Sequence, residues 1–342
     1  MHVIDRRAVQ NLLKSREILY LCSRDLEAVG VGNFGANIEA IESAYRAHAA
    51  RDVRMPMAEY LKYPDRPSYD RIIPLLGYLG GSFGISGLKQ ICSSTSNAAK
   101  GYDRASGLII LNEPESNRPF AILEGARVSA VRTAAVTALA VRHFAPPELA
   151  RVAFVGAGQL ARTHLEMWHQ LHASKLATLI VYDQKSELAD RLVTEARALG
   201  LRAETAPSAE VAIRGADVVV PMTTSEQPYI DSGWIKTPSL FAAVSLLDPK
   251  PEVLLDSDAI IVDDERLCKH EGRPLEVLEK QGRLDGRRLL EVGQWLAGER
   301  QIPSGARRIF FNPMGTVITD LCIAARVFSD ASARNLGIRL PI

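Results

Sequence analysis

The chain has 342 residues, a formal net charge of +1, and 47% hydrophobic and 24% charged side chains. This near-neutral balance argues against a nucleic-acid partner or a polybasic membrane surface, and the apolar run 18–22 is too short for a signal peptide or a membrane span. The four cysteines are far apart and form no CxxC pair, which favours reduced thiols in a cytoplasmic protein. The length predicts two domains.

The first third of the chain is rich in strand signals. A polar helix is predicted up to about residue 16, a strand over 18–22, a short helix capped by Ser23, and an amphipathic helix over 37–50. Further strands are predicted over 71–75, 84–92, 106–111 and 119–123, and a turn at 113–117 joins the last two. This part contains no nucleotide motif, so we expect it to bind substrate and to form a dimer.

A different pattern begins at residue 124, where a long helix is predicted to run to 144, before Pro146-Pro147. The predicted strands that follow are 152–155, 179–182, 202–205, 216–220, 240–244, 259–262 and 308–311. The predicted helices are 159–170, 187–199, 208–214, 275–279, 289–297 and 315–335. Alternation of strands with helices is typical of a parallel, doubly wound sheet.

The predicted fold class is therefore α/β, with a Rossmann doubly wound parallel sheet domain and a β-rich α+β domain. Because the last helix is expected to return to the first domain, that domain is predicted to be discontinuous. Residues 1–131 plus 314–342 are assigned to substrate binding and dimerisation, and residues 132–313 to the doubly wound domain, which contains a cofactor-binding motif.

The stretch 151–183 carries a dinucleotide-binding fingerprint. An apolar strand leads into Gly156-Ala157-Gly158-Gln159-Leu160-Ala161, a helix follows, and the next strand ends on Asp183. Gly156 permits the tight turn, and Gly158 lets the backbone approach a pyrophosphate at the helix N-terminus. Asp183 is predicted to accept hydrogen bonds from the adenosine ribose. Its carboxylate would repel a 2′-phosphate, so NAD is predicted rather than NADP.

Two cationic side chains fall on apolar faces. Lys89 lies in an alternating strand and Arg132 on the apolar stripe of a helix, and a buried cation needs an anion from the protein or from a ligand. The alternative for Lys89 is an edge position whose ammonium reaches water. Arg54, before Met55-Pro56, and Arg71, at the start of a strand, are weaker candidates that could be plain surface.

Asp248 follows one of the predicted strands of the doubly wound sheet. Ligands of such sheets gather outside the carboxyl ends of the strands, where an aspartate can serve as a general acid–base. The alternative is a turn or cap residue before Pro249, and both interpretations remain open. The sequence has no GxSxG, no HExxH and no His/Cys cluster at metal spacing, so neither a hydrolase nor a metal site is predicted.

Several motifs agree with one known family. They are Gly87-Leu88-Lys89, the segment 104–112, Arg132-Thr133-Ala134-Ala135, Gly156-Ala157-Gly158, Asp248 and Asn312-Pro313-Met314-Gly315. In these the chain resembles the ornithine cyclodeaminase/μ-crystallin family over nearly its whole length. It is most similar to the branch that makes L-2,3-diaminopropionate for siderophores and peptide antibiotics. The motifs shared with that branch are Asp70-Arg71-Ile72-Ile73, Arg104-Ala105-Ser106-Gly107, Val181-Tyr182-Asp183-Gln184 and Gln227-Pro228-Tyr229-Ile230.

The resemblance implies roles for individual residues. Lys89 and Arg132 would bind a substrate carboxylate, as would Arg54, and the catalytic residues would be Asp248, which matches the family's catalytic aspartate, and Lys89. The residues implied beside the cofactor, in addition to the fingerprint, are Thr133, Thr223, Met314 and Gly315. The family also implies a homodimer built on the first domain.

The strand that begins at Arg71 departs from the pattern of ornithine cyclodeaminases, which hold their substrate with a glutamate there. Here the strand has no acid after Arg71, which favours an amino-acid substrate with several carboxylates and adds Arg71 to the substrate-binding residues.

The implied activity is an NAD-dependent dehydrogenase that acts on a secondary-amine C–N bond. It would cleave N-[(2S)-2-amino-2-carboxyethyl]-L-glutamate to L-2,3-diaminopropionate and 2-oxoglutarate. The alternatives are an ornithine cyclodeaminase that forms proline and ammonia, a ketimine reductase, and a μ-crystallin-like protein that binds nucleotide without turnover.

Overall fold

The computed structural model describes residues 3–67, 69–172, 177–245, 247–270, 272–284, 286 and 289–342. The chain divides into two compact units, Met1–Arg132 with Thr316–Ile342, and Thr133–Gly315. The assignment of substrate binding and dimerisation to one part and of NAD binding to the other stays a prediction.

The described strands, in chain order, are β1 (Glu17–Leu21), β2 (Val53–Arg54), β3 (Leu61–Lys62), β4 (Arg71–Leu79), β5 (Ile85–Ser93), β6 (Ala105–Asn112), β7 (Pro119–Glu124), β8 (Arg151–Val155), β9 (Thr178–Tyr182), β10 (Ala203–Thr205), β11 (Val218–Pro221), β12 (Ser239–Ala242), β13 (Ala259–Val262), β14 (Leu289–Glu291), β15 (Arg308–Asn312) and β16 (Ile338–Pro341). The described α-helices are α1 (Arg6–Ser15), α2 (Ser23–Ala28), α3 (Phe34–Ala49), α4 (Gly125–Phe144), α5 (Gln159–His172), α6 (Ser186–Ala198), α7 (Ala209–Ile213), α8 (Pro251–Leu255), α9 (Glu265–Cys268), α10 (Pro274–Lys280), α11 (Val292–Leu296) and α12 (Val317–Ala333).

The first unit is built on a mixed sheet with the order β16-β1-β7-β6-β5-β4-β2, and β3 also pairs with β4. The long strands β4 to β7 pair antiparallel, whereas β1 joins β7 in parallel. Helix α12 packs on one face of this sheet, where Gly77 and Gly87 stand opposite each other. A Cβ added at Gly87 would lie 2.7 Å from Leu321 Cδ2, so these glycines permit the close approach of the helix.

The second unit is built on a parallel sheet with the order β10-β9-β8-β11-β12-β15-β13-β14. The chain leaves β8 in one direction to form β9 and β10 and returns on the other side with β11 and β12. The point of reversal between β8 and β11 is the ligand crevice of doubly wound sheets. The central strands β11 and β12 and strand β13 are fully buried, and Phe241 stacks on Phe310 at 5.4 Å between ring centroids. The predicted fold class, a Rossmann domain plus a β-rich α+β domain, is confirmed.

Three local predictions are corrected by the structure. The helix predicted over 289–297 is strand β14 followed by α11, because Leu289 and Leu290 are buried where β14 extends the sheet beside β13. A short apolar run fits both patterns, and pairing with a neighbouring strand decides between them. The cap of α2 is Cys22, not Ser23, and Asp25 Oδ2 accepts from the Cys22 amide at 3.0 Å. Strand β4 continues to Leu79 because β5 pairs with it over nine residues.

Among the described residues, no helix combines the length and the apolar character that a bilayer crossing requires.

Candidate active site

The carboxyl edge of the parallel sheet collects most of the residues singled out in the second unit. The segments that follow its strands there are Gly156 to Gly158 after β8, Asp183 after β9, Thr223 after β11, Asp248 after β12, Asp263 after β13, and Met314 with Gly315 after β15. Because all strands run parallel, these segments leave the sheet at the same edge. The edge is therefore where the predicted cofactor and catalytic residues of this unit are found.

The two glycines of the turn after β8 differ in the space that surrounds them. Gly156 has φ 99°, and a Cβ there would lie 2.7 Å from the Met222 carbonyl oxygen, so a side chain does not fit. A Cβ at Gly158, by contrast, would have no atom within 4 Å. The packing of this unit thus explains Gly156 and leaves Gly158 unexplained, as expected if a ligand approaches the backbone there.

The turn is tied to the end of β9 by Asp183. Its Oδ2 accepts from the Ala157 amide at 2.7 Å, and its Oδ1 accepts from the Lys185 amide at 2.9 Å. A carboxylate offers about four acceptor positions, so Asp183 keeps capacity for ribose hydroxyls. Helix α5 begins at Gln159 and Leu160, whose N–H groups belong to the first turn, where amides lack intrahelical acceptors. The turn, Asp183 and the start of α5 therefore have the donors and acceptors that a dinucleotide needs.

Asp248 is fully buried, and its two carboxylate oxygens differ. Oδ1 accepts from Thr223 Oγ1 at 2.5 Å and from the Tyr229 hydroxyl at 3.1 Å. Oδ2 is buried and has no hydrogen-bond partner among the residues that the structure describes. A buried polar atom is normally satisfied, so Oδ2 has the geometry of a group that serves a ligand or water.

Tyr229 holds Asp248 through the backbone as well. The amides of Tyr229 and Ile230 both donate to the Asp248 carbonyl at 2.9 Å. Burial, together with the negative charge of Asp248, raises the pKa of the Tyr229 phenol well above its usual value. The phenol therefore remains protonated and donates to Oδ1 over the whole physiological pH range.

Met314 and Gly315 are fixed by a second buried aspartate of the same edge. The Met314 amide donates to Asp263 Oδ1 at 3.0 Å, and the Gly315 amide donates to Asp263 Oδ2 at 2.7 Å. Their predicted place beside the cofactor stays a prediction, as does that of Thr133, which begins the second unit within helix α4.

The first unit brings Lys89 and Arg132 together on one buried carboxylate. Lys89 Nζ lies 2.8 Å from Asp320 Oδ2, and Arg132 Nε donates to Asp320 Oδ1 at 3.2 Å. Lys89 is 1% exposed and Asp320 0%, which excludes the interpretation of Lys89 as an edge residue with its ammonium in water. Burial is the main cause that lowers the pKa of Lys89 to about 8; Arg132 adds to this effect, and Asp320 opposes it.

Arg71 lies on the same side of the first sheet as Lys89. Arg71 is opposite Ser93 in the β4–β5 register, and Leu75 is opposite Lys89, so all four side chains belong to one face. The Arg71 guanidinium lies 5.4 Å from the Tyr60 ring centroid and 5.2 Å from that of Tyr69. These contacts hold the Arg71 guanidinium beside Ser93, which lies four residues after Lys89 on β5.

Arg54 is not brought to this face. The register places it opposite Tyr78, which alternates with Gly77 and Leu79 and so points to the other side of the sheet. Its side chain is exposed and donates to the carbonyls of Arg51 and Val53 at 3.0 and 2.7 Å. Its predicted role in binding substrate stays a prediction.

Three residues of these arrangements were not predicted from the sequence: Asp320, Tyr229 and Asp263. Asp320 gave a signal, because it is the lone acid in the apolar run that begins α12. Tyr229 belongs to the motif Gln227-Pro228-Tyr229-Ile230, but no role was predicted for its side chain. Asp263 follows a buried strand, as Asp248 does, and the same rule could have found it.

Comparisons with known proteins agree with one another. A model of the ornithine cyclodeaminase/mu-crystallin family matches residues 25–335. The chain is 32% identical over 336 residues to the N-((2S)-2-amino-2-carboxyethyl)-L-glutamate dehydrogenase of Staphylococcus aureus, covering 95% of this chain and 99% of that protein.

Two solved structures share the whole architecture. The crystal structure of CmnK is 31% identical with a TM-score of 0.86, over 95% of this chain and 98% of that one. An archaeal alanine dehydrogenase dimer with bound NAD is 25% identical with a TM-score of 0.83, over 95% and 99%.

Proposed function

The chain belongs to the ornithine cyclodeaminase/mu-crystallin family, and from this premise we propose that it is an NAD-dependent dehydrogenase of a polycarboxylate amino acid. The proposed substrate is N-[(2S)-2-amino-2-carboxyethyl]-L-glutamate, and the products are L-2,3-diaminopropionate and 2-oxoglutarate. The similarity to the Staphylococcus aureus dehydrogenase supports this choice. We further propose a cytoplasmic homodimer whose product serves siderophore or peptide-antibiotic synthesis.

The cationic face of the first sheet is the observation that carries the choice of substrate. Lys89 and Arg71 share this face, and strand β4 has no acid. Arg104 precedes β6 and adds a further cation close enough to interact with Arg71. A diamine such as ornithine would meet positive charge here, whereas a substrate with three carboxylates finds partners.

NAD fits the residues of the second unit. Gly158 leaves space beside the first turn of α5 for a pyrophosphate, and Asp183 retains acceptor capacity for the ribose. Gly156, Ala157, Gln159 and Leu160 would complete the phosphate-binding turn. The alanine dehydrogenase relative with bound NAD supports this assignment. When it is bound, NAD supplies the acceptor for a hydride from the glutamate Cα of the substrate.

The chain's own residues would then complete the reaction. Lys89, Arg132 and Arg71 hold the carboxylates, which fixes the substrate Cα in one orientation. Oxidation of the C–N bond leaves an imine, and Asp248 accepts a proton from the water that attacks it. The proton then passes to the amine nitrogen as the C–N bond breaks. In balance, the substrate, NAD⁺ and water give diaminopropionate, 2-oxoglutarate, NADH and a proton.

Absorbance of NADH tests the proposal directly. We expect NADH to form with N-[(2S)-2-amino-2-carboxyethyl]-L-glutamate and not with ornithine or glutamate in parallel assays. Proline formed from ornithine without net NADH would instead support a cyclodeaminase. Consumption of NADH with a cyclic imine would support a ketimine reductase, and binding of NADH without turnover of any of these compounds would support a μ-crystallin-like role.

The two glycines of the turn make a matched test of NAD binding. Gly158→Val is expected to raise the dissociation constant of NAD by roughly 100-fold, because the side chain occupies the approach to the helix N-terminus. Its melting temperature should stay unchanged, since a Cβ there meets no atom within 4 Å. Calorimetric titration with NAD⁺ and thermal unfolding measure the two quantities.

Two controls accompany this variant. Gly35→Val on α3, where a Cβ meets only Asn33 Oδ1 at 3.6 Å, should not change the affinity for NAD. Gly156→Val should lower stability, because it places a side chain against the Met222 carbonyl. Normal NAD affinity of Gly158→Val would exclude the turn as the phosphate site.

The sheet face opposite α12 supports the proposed homodimer. Four apolar residues stand side by side across β4, β5, β6 and β7, paired directly in register: Leu76, Leu88, Ile110 and Ile122. Leu76 is 55% exposed, and Leu108 on the same face is 43% exposed. A contiguous apolar surface of this kind is typical of an interface, and a second copy of this chain is its proposed occupant. The relative crystallised as a dimer agrees with this choice.

Leu76→Glu tests the interface. A carboxylate buried in an apolar interface costs several kcal/mol, so we expect the dimer dissociation constant to rise by about 100-fold or more. Sedimentation equilibrium over a concentration series measures the shift. Val211→Glu, at a residue that is 47% exposed on α7 of the second unit, is the control and should leave the mass unchanged. An unchanged dimer with Leu76→Glu would place the interface elsewhere.

A further inference from the structure

Asp320 is a buried carboxylate without an assigned role. It lies in the first turn of α12 at 0% exposure, and its two oxygens contact two different cations, Lys89 at 2.8 Å and Arg132 at 3.2 Å. The cations come from strand β5 and from the first part of helix α4, so this one side chain contacts two other elements of the chain. Lys89 Nζ has a further weak contact with Ser129 Oγ at 3.4 Å.

The charges of this cluster do not cancel. Two cations and one anion leave one net positive charge in a place where Lys89 is 2% and Arg132 11% exposed at the side chain. No other acid among the described residues forms an ion pair with either cation. An uncompensated charge is costly in such surroundings, which points to a single anion as the missing partner.

We propose that Asp320 positions Lys89 and Arg132 so that the three side chains together present one positive charge to one substrate carboxylate. This inference rests on the proposed function and names the positioning residue of its carboxylate site. Asp320 does this by holding the Lys89 ammonium in its charged form and by fixing the plane of the Arg132 guanidinium through Nε.

A purely structural role explains the arrangement less well. Replacing a buried ion pair with apolar residues of similar volume is often neutral or stabilising, so folding alone does not require the cluster. The packing of α12 on the sheet already has its own basis, because Gly87 allows Leu321 to approach.

The surroundings of Lys89 contain few other charges. Its register partners on β4 and β6 are Leu75 and Ile109, which carry none. From α12 the neighbours of the carboxylate include Cys322, whose thiol pKa is raised by burial and by Asp320. From α4 the facing groups are Arg132 and Ser129. Asp320 is therefore the group that maintains the charge of Lys89, and its removal leaves Lys89 beside Arg132 alone.

Asp320→Asn and Asp320→Glu test the inference. With Asp320→Asn, KM for N-[(2S)-2-amino-2-carboxyethyl]-L-glutamate is expected to rise about 100-fold, with kcat changed much less. The pKa of Lys89 is about 8 in the unaltered chain, so kcat/KM should fall as the pH rises through that value. In Asp320→Asn this alkaline limit should move down by at least about one pH unit, because two unscreened cations cannot both stay charged. Asp320→Glu should restore the alkaline limit of kcat/KM and part of the affinity for the substrate.

A second measurement needs neither substrate nor turnover. Nitrogen NMR of ¹⁵N-lysine protein, with Lys89→Met to assign the signal, follows the protonation of Lys89 Nζ in the presence of NAD. A lower titration midpoint in Asp320→Asn than in the unaltered chain is expected even if the proposed substrate is not turned over. The two failures are thus distinguishable.

The opposite results are equally clear. An Asp320→Asn variant with lower stability, an unshifted Lys89 midpoint and unchanged KM would make Asp320 structural and overturn the inference. A fall in kcat of Asp320→Asn without a change in KM would also overturn the inference. If Asp320→Asn does not fold, the Asp320→Glu variant decides, since a positioning residue requires its KM to rise while the Lys89 midpoint stays near its original value.

Discussion

Asp248→Asn is expected to lower kcat by about three to four orders of magnitude while NAD still binds with normal affinity. Asparagine has nearly the same shape, and its amide oxygen can still accept from Thr223 and Tyr229, so the local structure should persist. What is lost is the basic oxygen Oδ2, which has no hydrogen-bond partner among the described residues and would take the proton from water. Steady-state NADH formation and calorimetric titration with NAD⁺ measure the two effects.

Asp258→Asn is the matched control for this variant. Asp258 precedes β13 at the amino end of the parallel sheet, and its Oδ2 accepts from the amides of Arg307 and Arg308 at 2.8 and 2.7 Å. The same chemical change there should affect stability and leave kcat intact. A near-normal kcat of Asp248→Asn would show that another group transfers the proton.

Arg132→Ala is expected to raise KM for the tricarboxylate substrate by about 100-fold and to change the affinity for NAD by less than about threefold. The guanidinium is held by Asp320 through Nε, which leaves its terminal nitrogens for a second anion. Substitution by alanine removes the cation that would bind the substrate carboxylate, and it leaves Lys89 and Asp320 as a neutral pair. Initial rates over a range of substrate concentrations, together with NAD titration, separate the two affinities.

Arg326→Ala controls for the loss of a largely buried arginine in the same unit. Arg326 lies on α12, pairs with Asp330 at 3.0 Å and donates to Asn37 Oδ1 at 3.1 Å. Its removal should lower the stability of the unit, with KM unchanged. If Arg132→Ala instead weakened NAD and spared KM, Arg132 would belong to the cofactor site.

The dinucleotide turn and most of the longer helices and strands were determined by the sequence itself. Strand, glycine turn, helix and Asp183 follow one another within 33 residues, and the hydrophobic period of each element is a local property. The different roles of Gly156 and Gly158 could also be predicted from the sequence, because the motif requires a tight turn at the first position and close approach of a ligand at the second. The apolar neighbours of Lys89 and Arg132 predicted that these cations need an anion, while an edge position stayed open for Lys89.

The partner of these cations was decided only by the tertiary structure. Arg132 and Asp320 are 188 positions apart, and nothing in a local pattern records which of many distant acids comes within 3.2 Å. The contacts of Tyr229 and Thr223 with Asp248 have the same origin, since they join loops that follow different strands. Leu289 to Glu291 shows the limit for backbone structure, because its three residues form a strand only beside β13. Periodicity along the chain is local and so can be predicted from it, whereas charge pairing and edge-strand pairing depend on distances that only the folded chain sets.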